Sequence, residues 1–231
     1  GLTPTIILRE LDRSLQRLKT DFIDLYIIHW PDRHTPLEAT LCAMETALRQ
    51  GKIRAFGASN HYAYDLCELL WQADKRNWPN VVSSQIPFSM LKREFQNDLE
   101  FCDKHNIAVT PYQYLQGGLL TGKYKRSHSA PVNSRLAENP GWIMSPNEQM
   151  YDQLEATEAI ASEAGLSFAQ YTTAWTLAQP AIQSLIVGVK TQEQIQDAVS
   201  GASESLSKEL LTRQDAITPP PPRHRAPFNR V

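Results

Sequence analysis

Apolar residues recur along this chain with two periods, and the alternation of those periods outlines its elements. In "TPTIILRELDRSLQRLKT" Ile7, Leu11, Leu15 and Leu18 fall on one face at helical spacing, with Thr3 placed to cap and Pro4 at the first helical position. "IDLYIIH", Ile23 to His29, then reads as a strand. Thr35-Pro36 opens a second helix, "LEATLCAMETALRQ", which Gly51 closes. "KIRAFGASN" predicts a second strand, "AYDLCELLWQADKRN" a helix, and "VVSSQIPF" a third strand. "FQNDLEFCDKHN" is helical again and "IAVTPYQYL" is a fourth strand.

From Gln116 to Ser145 the pattern lapses into Gly, Pro, Asn and basic residues, a length that suits a functional loop over a site. Trp142 and Met144 in it are candidates to line an apolar pocket or to pack the loop down. Helices follow from about Pro146 to Ala164 and from Ser167 to Ala178. "SLIVGV" predicts a fifth strand and "TQEQIQDAVSGA" its helix. "LSKELLTRQDAI" leads into a Pro-rich tail, residues 218–231, read as an extended terminus draped on the surface, with a polyproline ligand as the alternative. Short strands rich in Ile, Val, Leu, Phe and Tyr between helices are the mark of a parallel α/β sheet buried on both faces. A doubly wound sheet and a barrel share this local pattern.

Composition narrows the function classes. At 231 residues one large domain is the better expectation. A net charge of -2 argues against nucleic acid or an anionic membrane surface as the main partner. No apolar run is long enough to span a bilayer, and no signal peptide opens the chain. Cys42, Cys67 and Cys102 are odd in number and far apart, which suits reduced thiols in a cytoplasmic protein and gives no metal site. The chain starts at Gly1 without an initiator methionine, as a trimmed piece of something longer would.

The chemistry gathers at the strand ends: His29; Ser59-Asn60; Gln85; Tyr112-Gln113; Gly188 and Lys190. In parallel α/β folds ligands bind at the carboxyl ends of strands. Singly, each has a structural explanation: a satisfied histidine, a helix cap, a turn, core filling, a surface charge. Five of five strands ending this way points to a site.

Taken together, "RSLQRLKTDFIDLYIIHWPD", "GKIRAFGASN", "SSQIPFSML", "LQGGLLTGKY" and "IVGVKTQEQ" resemble the aldo-keto reductase superfamily, from about Thr5 to Leu211. The resemblance implies a (β/α)8 TIM-type barrel, here with about five βα units and the amino-terminal units missing. It divides the chain into a partial barrel, residues 1–217, and the tail. It also implies an oxidoreductase using NADP(H) to reduce an aldehyde or ketone. His29 matches the active-site histidine that orients the substrate carbonyl. Ser59, Asn60 and Gln85 match the residues that hydrogen-bond the nicotinamide carboxamide, and Tyr112 the ring on which nicotinamide stacks. Gln113, Leu115 and Gly117 fall on the loop following the pyrophosphate, with Lys123 in reach of phosphate. Gly188, Lys190, Thr191 and Gln194 match the segment holding the adenosine end, where a cation such as Lys190 suits a 2′-phosphate.

The catalytic Asp, Tyr and Lys of that family come from strands that this chain does not contain. Tyr62 and Tyr64 are on the right side of the sheet but read as surface packing. Tyr114 stands where the family has Pro, and Ala198 where it has Asn. A hydride donor without a positioned acid is slow, since such an acid is typically worth about 10²–10⁴-fold. Two alternatives therefore stand beside the reductase: a cofactor-independent isomerase, lyase or cyclase using His29, and a catalytically dead interaction subunit. Five strands leave two open parallel edges. A second copy of the chain or an amino-terminal fragment would cover them.

Overall fold

The structure, a computed structural model, describes residues 1–139, 141 and 145–222. The chain forms two compact units, Gly1–Ile86 with Glu100–Thr110, and Pro87–Leu99 with the chain from Pro111 onward.

The first unit is a four-stranded parallel sheet in the order β1-β2-β3-β4 with helices between the strands. Helix α1 (Pro4–Leu18) starts on Pro4 and stops at Lys19, which takes the left-handed conformation. Ile7, Leu11 and Leu15 are buried, but Leu18, read as part of the same stripe, is 63% exposed because it is the last helical residue, next to that turn. Thr3 caps with its carbonyl, which accepts from Ile7 N at 3.0 Å; its side chain makes no cap bond. Strand β1 (Ile23–Ile28) leads to α2 (Leu37–Arg49), whose Leu41, Met44 and Ala47 are buried against its neighbours α1, α3 and β2. Strand β2 (Ile53–Ser59) precedes α3 (Ala63–Arg76), and β3 (Ser83–Gln85) precedes α4 (Gln96–Lys104) and β4 (Ala108–Val109). Gly57 of β2 is in register with Ser83 of β3. A Cβ there would lie 3.0 Å from the Ser83 carbonyl oxygen and 3.2 Å from Ser83 Cβ.

Three expectations from the pattern change. Strands three and four are shorter than read, because Pro87 and Pro111 bring no N–H to a ladder; past them, within the second unit, Pro87 and Tyr112 form an isolated bridge. Strand β1 is not buried on both faces: Asp24 and Leu25 are exposed, since β1 pairs with β2 alone among the described residues. The fifth strand, "SLIVGV", joins no sheet. Ile186 N donates to the Pro111 carbonyl at 3.0 Å without a ladder following, and Ile186, Val187 and Val189 are exposed.

The second unit is helical. A 3₁₀ turn (Gln116–Thr121) and the short α5 (Arg135–Glu138) occupy the region expected to be irregular, while Trp142 and Met144 lie outside the described residues. Helices α6 (Glu148–Glu163), α7 (Phe168–Leu177), α8 (Gln192–Ala202) and α9 (Lys208–Ile217) begin on Asn147, Ser167, Thr191 and Ser207, whose side chains accept from the first turn. Trp175, fully buried, stacks on Phe88 at 5.9 Å, and the buried Arg93 lies over it while pairing with Asp215 at 2.7 Å. The Pro-rich tail beyond residue 222 lies outside the described residues.

Candidate functional site

The ends of β1, β2 and β3 lie level. Ile28 pairs with Ala58 and Ser59 with Gln85, so His29, Ser59 and Gln85 form one layer across three strands. Asn60 locks it. At φ 61° it adopts a left-handed conformation that Asn tolerates better than most residues. Its Nδ2 donates to the His29 carbonyl at 2.9 Å and to Ser59 Oγ at 3.0 Å. Ser59 Oγ and Asn60 N each donate to the Gln85 carbonyl at 2.9 Å. The His29 carbonyl is thus committed while its imidazole is exposed. Ser59-Asn60 is no helix cap: α3 starts later, where Tyr62 N donates to Asp65 Oδ2 at 3.1 Å.

Sequence reasoning missed the residue that follows. His61, 4% exposed, places Nδ1 2.7 Å from the Ser59 carbonyl; a carbonyl only accepts, so Nδ1 carries the proton. Burial pushes its pKa down, against the bond to Ser59 and the charge of Asp65, which pull it up; Arg33 adds a further push down. Asp65, also buried, pairs with Arg33 Nη1 at 2.5 Å. His61 and Asp65 line a cavity of about 260 Å³ together with Leu2, Ile28 and Asp32. Adjacency to Ser59-Asn60 was the one available signal. Tyr62 and Tyr64 are exposed and stacked on each other at 6.2 Å, and Tyr64 OH accepts from Arg33 Nη2 at 2.6 Å.

In the second unit, Tyr112 is half-buried, and burial, with Glu94 nearby, raises its pKa. Gln113, Gln116, Gly117 and Gly118 all have positive φ, so the chain after Tyr112 winds tightly through Leu115. Lys123 is packed onto this turn. A Cβ on Gly118 would fall 2.3 Å from Lys123 Nζ, and the φ of 96° there favours glycine in its own right. Tyr114, at the family's Pro position, is core: it is 2% exposed and its hydroxyl lies 3.4 Å from Thr173 Oγ1. Gly188 is exposed. Lys190 N donates to Gln194 Oε1 at 2.7 Å, and Thr191 caps α8. The Lys190 ammonium is engaged by Glu138, Nζ to Oε1 3.0 Å and to Oε2 2.9 Å, and by the Asn133 carbonyl at 3.2 Å. Nothing in the sequence pointed to Glu138, 52 positions away.

Hydroxyl, amide and carboxamide groups in one layer match the mixed donors and acceptors of a nicotinamide carboxamide, and a left-handed turn bearing a lysine suits phosphate. Each unit by itself thus offers groups of the kind that a nicotinamide dinucleotide needs. Among the described residues no cluster of His, Cys, Asp and Glu could hold a metal ion, and no helix is long and apolar enough to cross a membrane.

The family model for the aldo/keto reductase family matches residues 1–219. The chain belongs to that family. Similar proteins include the "Uncharacterized oxidoreductase YrpG" of Bacillus subtilis (strain 168), 34% identical over 96% of this chain and 66% of its own length. Protein tas of Escherichia coli (strain K12) is 32% identical over 90% of this chain and 65% of its own. Among solved structures, the glycerol dehydrogenase of Gluconobacter oxydans superposes with a TM-score of 0.80 at 30% identity, covering 96% of this chain and 67% of that one. The fold is thus the α/β, TIM-barrel-like fold of aldo/keto reductases. The chain spans about two thirds of the length of the relatives it matches.

Proposed function

We propose that this chain carries the cofactor-binding part and the substrate-orienting histidine of a nicotinamide-dependent carbonyl reductase. The observation that carries the reading is the strand-end layer, in which Asn60 joins β1, β2 and β3 through the His29 carbonyl, Ser59 Oγ and the Gln85 carbonyl. A bound nicotinamide supplies hydride. The chain's own residues do the rest: Ser59, Asn60 and Gln85 fix the carboxamide, Tyr112 presents a ring face, and His29 donates a hydrogen bond to the substrate carbonyl oxygen. Gln113, Leu115, Gly117 and Lys123 would follow the phosphates, and Gly188, Lys190, Thr191 and Gln194 the adenosine end. Small aldehydes or ketones are the substrate class.

The residues assigned here include no proton donor; β1 has an unpaired edge among the described residues, where a further βα segment carrying that donor would pair. A cytoplasmic setting suits three cysteines that form no disulfide among the described residues.

Calorimetric titration of the 231-residue chain with nicotinamide nucleotides tests this. Micromolar binding that is lost in Asn60→Ala is expected. A folded chain that binds no nucleotide overturns it.

A further inference from the structure

The ion pair at the adenosine segment has a consequence for cofactor choice. Lysine has three N–H donors. Three acceptor atoms surround Lys190 Nζ: both oxygens of Glu138, at 3.0 and 2.9 Å, and the Asn133 carbonyl at 3.2 Å. The cation that would meet a 2′-phosphate is therefore satisfied and neutralised from within the chain. Glu138 is held for this task at the end of α5, whose Ser134 cap is buried and accepts from Ala137 N at 3.3 Å. From the opposite side the segment is fixed by Lys190 N to Gln194 Oε1 at 2.7 Å and by Thr191 at the start of α8.

A 2′-phosphate carries nearly two negative charges at neutral pH, so it would have to expel Glu138 or sit against it. A ribose 2′-hydroxyl faces no such penalty, because a carboxylate has acceptor positions beyond those Lys190 uses and can take the hydroxyl proton. We propose that Glu138, by holding Lys190, is a cofactor-specificity residue that makes this chain favour NAD(H) over NADP(H). The inference rests on the reading of Gly188 to Gln194 as the adenosine segment. It reverses the preference that Lys190 suggests when the sequence alone is considered.

The test is calorimetric binding of NAD⁺ and NADP⁺ to the wild-type chain, Glu138→Gln and Lys190→Ala, with melting temperatures as the folding control. Wild type should bind NAD⁺ the more tightly. Glu138→Gln should raise NADP⁺ affinity by a factor of about five, the upper range for one exposed pair, with little gain for NAD⁺. A wild type that prefers NADP⁺, or a Glu138→Gln variant with an unchanged affinity ratio while Lys190→Ala weakens NADP⁺, overturns the role of Glu138 alone. If Lys190→Ala changes neither affinity, or the wild type binds neither nucleotide, the adenosine-segment reading falls and takes this inference with it.

Discussion

The strand-end layer of the first unit and the Lys190 segment of the second are built in opposite ways. The strand-end layer is held by backbone carbonyls and short side chains from successive strands, with Ser59 1% exposed at its centre. The Lys190 segment, proposed to hold the adenosine end, is exposed and is held by a long-range ion pair between Lys190 and Glu138. The first arrangement leaves its members almost no alternative, because strand register fixes where each backbone group sits. The second can be rebuilt by one surface substitution and is screened by salt. Chemistry that must not vary, such as orienting a carbonyl, suits the rigid end, whereas a preference that can drift suits the adjustable one.

The contrast can be broken most directly at Asn60. Asn60→Ala removes the bonds to His29 and Ser59 and leaves an alanine at φ 61°, and should cost about 2–3 kcal/mol. A urea midpoint close to wild type would show that the layer does not depend on it. Next, Gly57→Ala pushes a methyl to 3.0 Å from the Ser83 carbonyl and should cost about 1–2 kcal/mol by the same measurement.

His61 sharpens the comparison through pH. Its folded pKa lies below the ordinary 6.5, so the unfolded chain binds the proton first as pH falls through 6.5. Stability should be full above that value and decline on acidification. In His61→Gln this part of the slope should vanish when denaturation midpoints are compared from about pH 8 to about pH 5; an unchanged slope would assign the effect elsewhere. The smallest effect belongs to Lys190→Ala, which should move stability by no more than about 0.5 kcal/mol because the pair is exposed. A larger loss would mean that the adenosine segment is as structural as the strand ends.

By itself the sequence determined the βα alternation, the first four strands and the residues at their ends, since periodicity and turn chemistry are local. His29, Ser59, Asn60 and Gln85 could be named because parallel strands in register deliver their last residues to one level. The failures share a cause. "SLIVGV" has the composition of a strand, but a strand exists only with a partner, and its one backbone contact to Pro111 is not continued into a ladder. His61 lines a cavity beside the strand ends through burial, and Tyr114, at the position where the family has Pro, is part of the core. Lys190 read as an available cation because its carboxylate partner lies 52 positions away. What tertiary structure alone decided was pairing across distance and the burial of each group, because both depend on neighbours that local sequence does not contain.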